Sequence, residues 1–186
     1  FGDFPPGALN ADLSLQGRLS DKSSAGWLTD VRAVIADSQL FDLPLAGQAQ
    51  AAINADSAQG INAELTLGKS RVTASGSLVW SERSAGRPGE SLKLHLEAPD
   101  LRQIDARLGG GLSAEAQLQG TLQSPTGRLE AHATNLSVGS GASATGTPAT
   151  GTAGTDTKRL HAAGVHINAT LDAASRIAIS LDAKDV

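Results

Sequence analysis

The amino-acid sequence predicts an elongated, all-β chain, a meander of antiparallel strands, and three observations carry that reading. Apolar and polar residues alternate with a period of two through most of the chain, which puts aliphatic side chains on one face of a strand and polar ones on the other. The apolar content is aliphatic: hydrophobic residues make up 40% of 186 residues, while aromatics are only 3% and Tyr is absent. Turn residues punctuate the alternating runs, with 21 Gly and 7 Pro.

The runs appear in order along the chain. Ala11, Leu13, Leu15, Gly17 and Leu19 alternate with Asp12, Ser14, Gln16 and Arg18. Ile61, Ala63, Leu65 and Leu67 alternate with Asn62, Glu64 and Thr66, and then Val72, Ala74, Gly76, Leu78 and Trp80 with Arg71, Thr73, Ser75 and Ser77. The apolar parity flips from odd to even across Gly68–Arg71, as a short hairpin requires. After a Gly/Pro loop at 84–89 come Leu92, Leu94 and Leu96, then Ala114, Ala116, Leu118, Gly120 and Leu122. Val165, Ile167, Ala169 and Leu171 precede a final strand of Ile177, Ile179 and Leu181.

Two segments break the pattern. Asp100, Gln103, Ile104 and Leu108, followed by Gly109-Gly110-Gly111, predict a short helix over about 100–108 with a capping box and a glycine stop. Residues 139–157 are Gly, Ser, Ala and Thr with one Pro and one Asp, too poor in apolar surface to order, and are expected to form a flexible loop between strands. Leu13–Leu19 and Ala116–Leu122 share a Leu-Gln-Gly-x-Leu core, with Ala74–Leu78 a looser third copy. Their irregular spacing fits a meander better than a strict solenoid.

Composition excludes several classes of function. A net charge of −4 with Lys and Arg scattered singly, and without interleaved aromatics, argues against a nucleic-acid partner. No apolar run approaches the ~20 residues of a membrane-spanning helix. The absence of Met and a start at Phe1 lead us to expect a piece of a longer protein, with any signal or anchor outside it. Zero Cys removes disulfides and thiolate metal sites.

Candidate chemistry is sparse, and we expect neither enzymatic activity nor a cofactor. His95, His132 and His166 fall at polar-face positions, and none has a second ligand at a spacing that defines a metal site, so no metal is expected. Asp12, Glu64, Glu97, Glu115 and Glu130 are spread along solvated faces. Gly139-Ser140-Gly141 lies in low-complexity sequence and is no nucleophile elbow. The Gly109–Gly111 run follows the expected helix, the wrong polarity for a phosphate cradle. What remains is the aliphatic face. It is either one half of a filled sandwich core or the lining of a sheet curved around an apolar groove. Small Ala and Gly alternate with Leu on that face, as though space were left there.

Two stretches resemble the TamB family, translocation and assembly module subunits of Gram-negative envelopes, and within it the C-terminal TamB/AsmA-like domain. The first is Leu65–Leu78, a strand, a Gly-containing turn, and a strand with Gly before its last apolar residue. The second runs from Leu92 to Leu136: a strand, the Pro99-Asp100-Leu101 turn, Leu118-Gln119-Gly120-Thr121-Leu122, Pro125, Leu129-Glu130-Ala131 and Asn135-Leu136. Together the likeness covers most of residues 8–138. It implies a β-taco, a long antiparallel sheet curled into a U-shaped tube with an apolar interior, of which residues 1–186 would be a single segment. It implies a periplasmic location as part of an inner-membrane-anchored protein, the anchor lying outside this segment. The implied partners are phospholipid and a TamA-type outer-membrane barrel protein. The implied function is a conduit carrying phospholipids between the inner and outer membranes and supporting outer-membrane assembly.

On that reading Leu13, Leu15, Leu65, Leu67, Val72, Leu78, Leu92, Leu94, Leu96, Leu118 and Leu122 line one groove. About ten strands at ~4.8 Å would give a section of roughly 50 Å. Two other readings stay open: a chaperone-like segment offering sheet edges to nascent outer-membrane proteins, and an adhesin or passenger stalk with a filled β-core. A membrane-spanning barrel is disfavoured by the missing aromatic girdles.

Overall fold

A computed structural model describes residues 7–19, 27–80, 91–121, 124–138, 160–172 and 176–184. The expected loops at 84–89 and 139–157, and Leu122, lie outside the described residues. The described strands are β1 (Gly7–Ala8), β2 (Ala11–Leu19), β3 (Trp27–Leu40), β4 (Leu43–Ile53), β5 (Ser57–Leu67) and β6 (Ser70–Val79), then β7 (Ser91–Ala98), β8 (Leu108–Gly120), β9 (Pro125–Val138), β10 (Leu160–Leu171) and β11 (Ile177–Lys184). All belong to one 11-stranded sheet in which each strand from β3 onward pairs antiparallel with the next, and β1 and β2 both pair with the first edge of β3. The sheet is open, with β2 and β11 at its edges, and almost free of helix, as the alternation predicts.

Strand formation follows from the pattern, and the turns follow from residue type. β3 and β4 are joined by Phe41 and Asp42, both at positive φ (53° and 59°), the backbone of a two-residue hairpin turn. β5 and β6 are joined by Gly68-Lys69, with Gly68 at φ 58°, where the parity flip places it. The β4–β5 connection is an Asx turn: Asn54 Oδ1 accepts from the amides of Asp56 and Ser57, both at 2.8 Å. Trp80 covers it, donating its indole N–H to the Ala55 carbonyl at 2.6 Å.

β3 and β4 are missing from the sequence-based reading. In β3, Leu28 and Val34 fall at the polar parity between Trp27, Val31 and Ile35; β4 marks its apolar face only with Gly47, Ala49 and Ala51 between Leu45 and Ile53; and the turn between them carries no Gly or Pro, so neither the runs nor the break stands out.

The helix expected over 100–108 is corrected to a single 3-10 turn, Leu101–Gln103. Asp100 caps it, accepting from the Arg102 amide at 3.2 Å. Helix stops there because Asp105 captures local groups instead: its carboxylate accepts from the Arg107 amide at 2.9 Å and from the Arg107 guanidinium at 2.7–3.2 Å. The Arg107 side-chain hydrogen bond holds the Asp105 carboxyl down at about 2. Gln103 reaches across to the β5–β6 hairpin, accepting from the Lys69 amide at 3.1 Å.

The glycine run is likewise not a stop; Gly109–Gly111 lie inside β8. Opposite them β9 carries an extra residue, with Gly109 facing Ser137 and Gly111 facing Thr134. This bulge pushes the β9 backbone against Gly110, where a Cβ would stand 2.4 Å from the Thr134 carbonyl oxygen and 2.6 Å from that of Asn135. Gly110 is also at φ 100°, so a side chain is excluded twice over.

Bulges of this kind occur at three places among the described strands: Asp37 in β3, Gly60 in β5 and Asn135 in β9. Each of these residues has positive φ (50°, 60° and 50°), and each is of a type that tolerates it. Ser38 pins the first bulge. It is 3% exposed, and its hydroxyl accepts from the Asn10 amide at 2.8 Å, in the gap between β1 and β2. An extra residue reverses the alternation downstream, so all three bulges keep the apolar face continuous where the sequence changes parity. In β9 the apolar positions shift from Leu129, Ala131 and Ala133 to Leu136 and Val138, and Val138 still faces Leu108.

Gly110→Ala should lower unfolding stability by about 1–3 kcal/mol through backbone strain. Gly164→Ala, where a Cβ meets nothing within 4 Å, should stay within about 0.5 kcal/mol of the parent. Urea unfolding of both variants checks this, and equal costs would contradict the bulge assignment.

Candidate functional site

The two faces of the sheet offer different chemistry. On one, the pairing registers stack aliphatic residues into rows that run across the strands. One row passes through Leu13, Ala33, Ala49, Ala63, Ala74, Leu94, Ala116, Leu129, Ala169 and Ile179. A neighbouring row passes through Ile35, Gly47, Leu65, Val72, Leu96, Ala114, Ala131, Ile167 and Leu181. Residues directly opposite one another on antiparallel strands share a face, so the register puts Leu13, Leu15, Leu65, Leu67, Val72, Leu78, Leu92, Leu94, Leu96 and Leu118 together.

Among the described residues no second sheet faces these rows. The buried apolar residues are few: Ala58, Val79, Leu92, Ala98, Leu101 and Ala131. Exposure is greatest at the two edges, where Leu13 is 66% and Ile179 68% exposed. A shallow apolar hollow of about 140 Å³ lies over β3–β6, bounded among others by Ile35, Ala49, Ala63, Leu65 and Val72.

The hollow is lined in part by small residues, Ala33, Gly47, Ala49, Ala63 and Ala74, but two glycines of this face leave no gap of their own. At Gly47 an added Cβ would lie 2.8 Å from Cδ1 of Leu65, and at Gly127 2.9 Å from Cδ2 of Leu118. Leucines from the next strand lean over these glycines and smooth the surface.

The opposite face is polar and carries a cluster that sequence reading missed. His132 on β9 and His166 on β10 are direct cross-strand partners, and their rings stack at 4.0 Å with planes 10° apart. Glu130 lies two residues before His132, so the strand pleat places it on the same face. Its Oε1 is 3.4 Å from His132 Nε2 and 3.2 Å from His166 Nε2. Asn168 Nδ2 stands 3.3 Å from the same His166 nitrogen. A second group lies one strand over, where His95 contacts Glu97 at 3.2 Å and Glu115 at 3.4 Å, and Glu115 is the cross-strand partner of Glu130. Long polar side chains stand up around hollows on this face; the one between the two groups, of about 380 Å³, is bounded by Thr73, Lys93, His95, Glu115, Arg128 and Glu130 among others. His132 and His166 are 34 positions apart in sequence, and only the β9–β10 register brings them together. The one sequence signal was their shared polar parity.

Hydrogen bonds from His132 first and His166 second hold the Glu130 carboxyl below its ordinary range. A carboxyl depressed on folding stabilises the fold above its unfolded pKa, and that contribution is lost as pH falls through the folded value. Glu130 should therefore titrate, by carbon-detected NMR, below the ordinary glutamate value. His132→Ala should raise its midpoint and the His132→Ala/His166→Ala double variant should raise it further. An unchanged midpoint in the double variant would contradict the assignment.

Comparison with known proteins yields one finding. The family model "TamB, N-terminal domain" matches residues 4–161. Neither a curated protein nor a solved structure matches the chain. The matched region corrects the expectation of a C-terminal domain: this segment corresponds to the N-terminal part of the family pattern. Among the described residues no helix is long and apolar enough to cross a membrane. With a single open antiparallel sheet and a family match over most of its length, the chain belongs to the TamB family.

Proposed function

We propose that this segment is one section of an envelope-spanning conduit in which phospholipids move between the inner and outer membranes along the apolar face of the sheet. Membership of the family already places the chain with the translocation and assembly module. The observation that carries the finer reading is the continuous aliphatic face with no second sheet over it among the described residues. Soluble proteins rarely leave so large an apolar surface bare unless something binds there.

The rows run perpendicular to the strands, so a chain lying along them meets one strand every ~4.8 Å. Each acyl methylene taken from water gains ~0.8 kcal/mol. A lining of Leu, Ala, Val and Ile offers that gain with few directional contacts, which favours sliding over tight capture. In this reading residues 1–186 act as a single segment in the periplasm, the sheet curls so that its apolar face lines a U, and a membrane anchor and a TamA-type barrel lie at the ends of a longer assembly. The open edges at β2 and β11 let the sheet continue into further strands. The protein works without catalysis or cofactor.

A second reading rests on the same edges. All eight residues of β11 are exposed, and its outer edge can accept an added strand from a nascent outer-membrane protein. A filled stalk would need a covering layer over the aliphatic face.

Photo-reactive residues at Leu67 and Leu94 should crosslink phospholipid, while those at Glu64 and Lys93, on the opposite face, should not. In the full-length protein Leu94→Arg should abolish transport, since a charge in the acyl path costs several kcal/mol, yet this segment should keep a cooperative melt because water reaches the arginine. Equal capture from both faces, or unfolding by Leu94→Arg, would favour a filled core.

A further inference from the structure

We infer that Glu130, His132 and His166 form a divalent transition-metal site of the zinc class on the polar face, a clamp that ties β9 to β10. The three side chains offer one carboxylate oxygen and two imidazole nitrogens, all within 4.8 Å of one another. A tetrahedral zinc ion with bonds of 2.0–2.2 Å holds its ligand atoms about 3.4 Å apart. The two Glu130–histidine separations, 3.4 and 3.2 Å, already match that edge. Nitrogen donors favour zinc, copper or nickel over magnesium or calcium.

The fit requires one adjustment. Imidazole lone pairs lie in the ring plane, and two nearly parallel planes 4.0 Å apart share no point within reach of both nitrogens. Each ring must turn about its Cβ–Cγ bond so that both Nε2 atoms aim at a point beside Glu130 Oε1. His132 and His166 are 54% and 35% exposed, which leaves room for this. A hollow of about 320 Å³ bounded by His132, Thr134, His166, Asp182 and Lys184 keeps the fourth position open to water.

The backbone supplies the rest. The two histidines sit opposite each other in a register without shifts, so rigid pairing fixes their Cα positions. Residues 139–159 lie between the two described strands, so the ion would join positions far apart in sequence. A metal binding only the folded state also raises its stability by mass action.

Titration of the chain with Zn²⁺ by calorimetry, and with Co²⁺ by visible absorption, tests the site. One ion per chain should bind, Co²⁺ should show the intense bands of tetrahedral coordination, and Zn²⁺ should raise the melting temperature. His132→Ala and His166→Ala should each weaken binding by about tenfold or more and abolish the zinc-dependent rise. His95→Ala, in the neighbouring group, should leave both unchanged. Metal-free melts of all variants should stay cooperative, lowered at most by the lost hydrogen bonds to Glu130 and independent of added Zn²⁺ in the histidine variants, which separates lost ligation from lost folding. Zinc binding that survives the His132→Ala/His166→Ala double variant, or no saturable binding by the parent chain, would overturn the proposal.

Discussion

Cross-strand register is the constraint on which everything else in this molecule depends. In a two-layered sandwich a strand is held by its neighbours and by the opposing sheet, and a misplaced side chain meets a wall. Here the described strands form one layer, and each strand packs chiefly on the strands beside it. A slip of one residue would carry a whole set of aliphatics to the polar side and a set of charges to the apolar side. The rows through Leu94 and Leu96, and the stacked His132–His166 pair behind them, are products of one pairing pattern seen from its two faces.

The bulges follow from that constraint. Long strands of a twisted sheet accumulate mismatch, and an inserted residue relieves it at the cost of reversing the alternation. Asp37, Gly60 and Asn135 occupy the left-handed backbone region such an insertion demands. The sequence around each changes parity in step, so the apolar face is unbroken although the alternation in the sequence is not. Gly110 belongs to the same device, since the Asn135 bulge can approach β8 only where no Cβ stands in the way.

This explains what was readable from the sequence and what was not. Stretches such as 61–67 and 91–98 keep one parity throughout, and period-two alternation exposes them at once. β3 hides because Leu28 and Val34 blur its alternation, β4 because Gly47, Ala49 and Ala51 mark a face weakly, and both because Phe41-Asp42 turns the chain without glycine or proline. The helix expected at 100–108 fails on a local competition: Asp105 and Arg107 satisfy each other and the nearby backbone, and Gly109–Gly111 serve the strand across from a bulge. The candidate lipid-facing leucines could be named because shared parity is a local property. The Glu130–His132–His166 cluster could not, because it depends on how β10 aligns with β9 after a long intervening stretch, and no local spacing encodes that alignment.

The two faces thus differ in chemistry, an aliphatic surface with little directional bonding and a polar surface whose titratable groups are gathered by the same registers. The proposed lipid conduit needs the first to stay accessible along its length, and the rows are most exposed at their ends, Leu13 and Ile179. The most direct test is native mass spectrometry of the protein purified from envelope material without detergent exchange. The account predicts phospholipid-mass adducts that are released by solvent extraction and lost in the Leu94→Arg variant. A well-folded protein that carries no lipid under those conditions, in parent and variant alike, would contradict it.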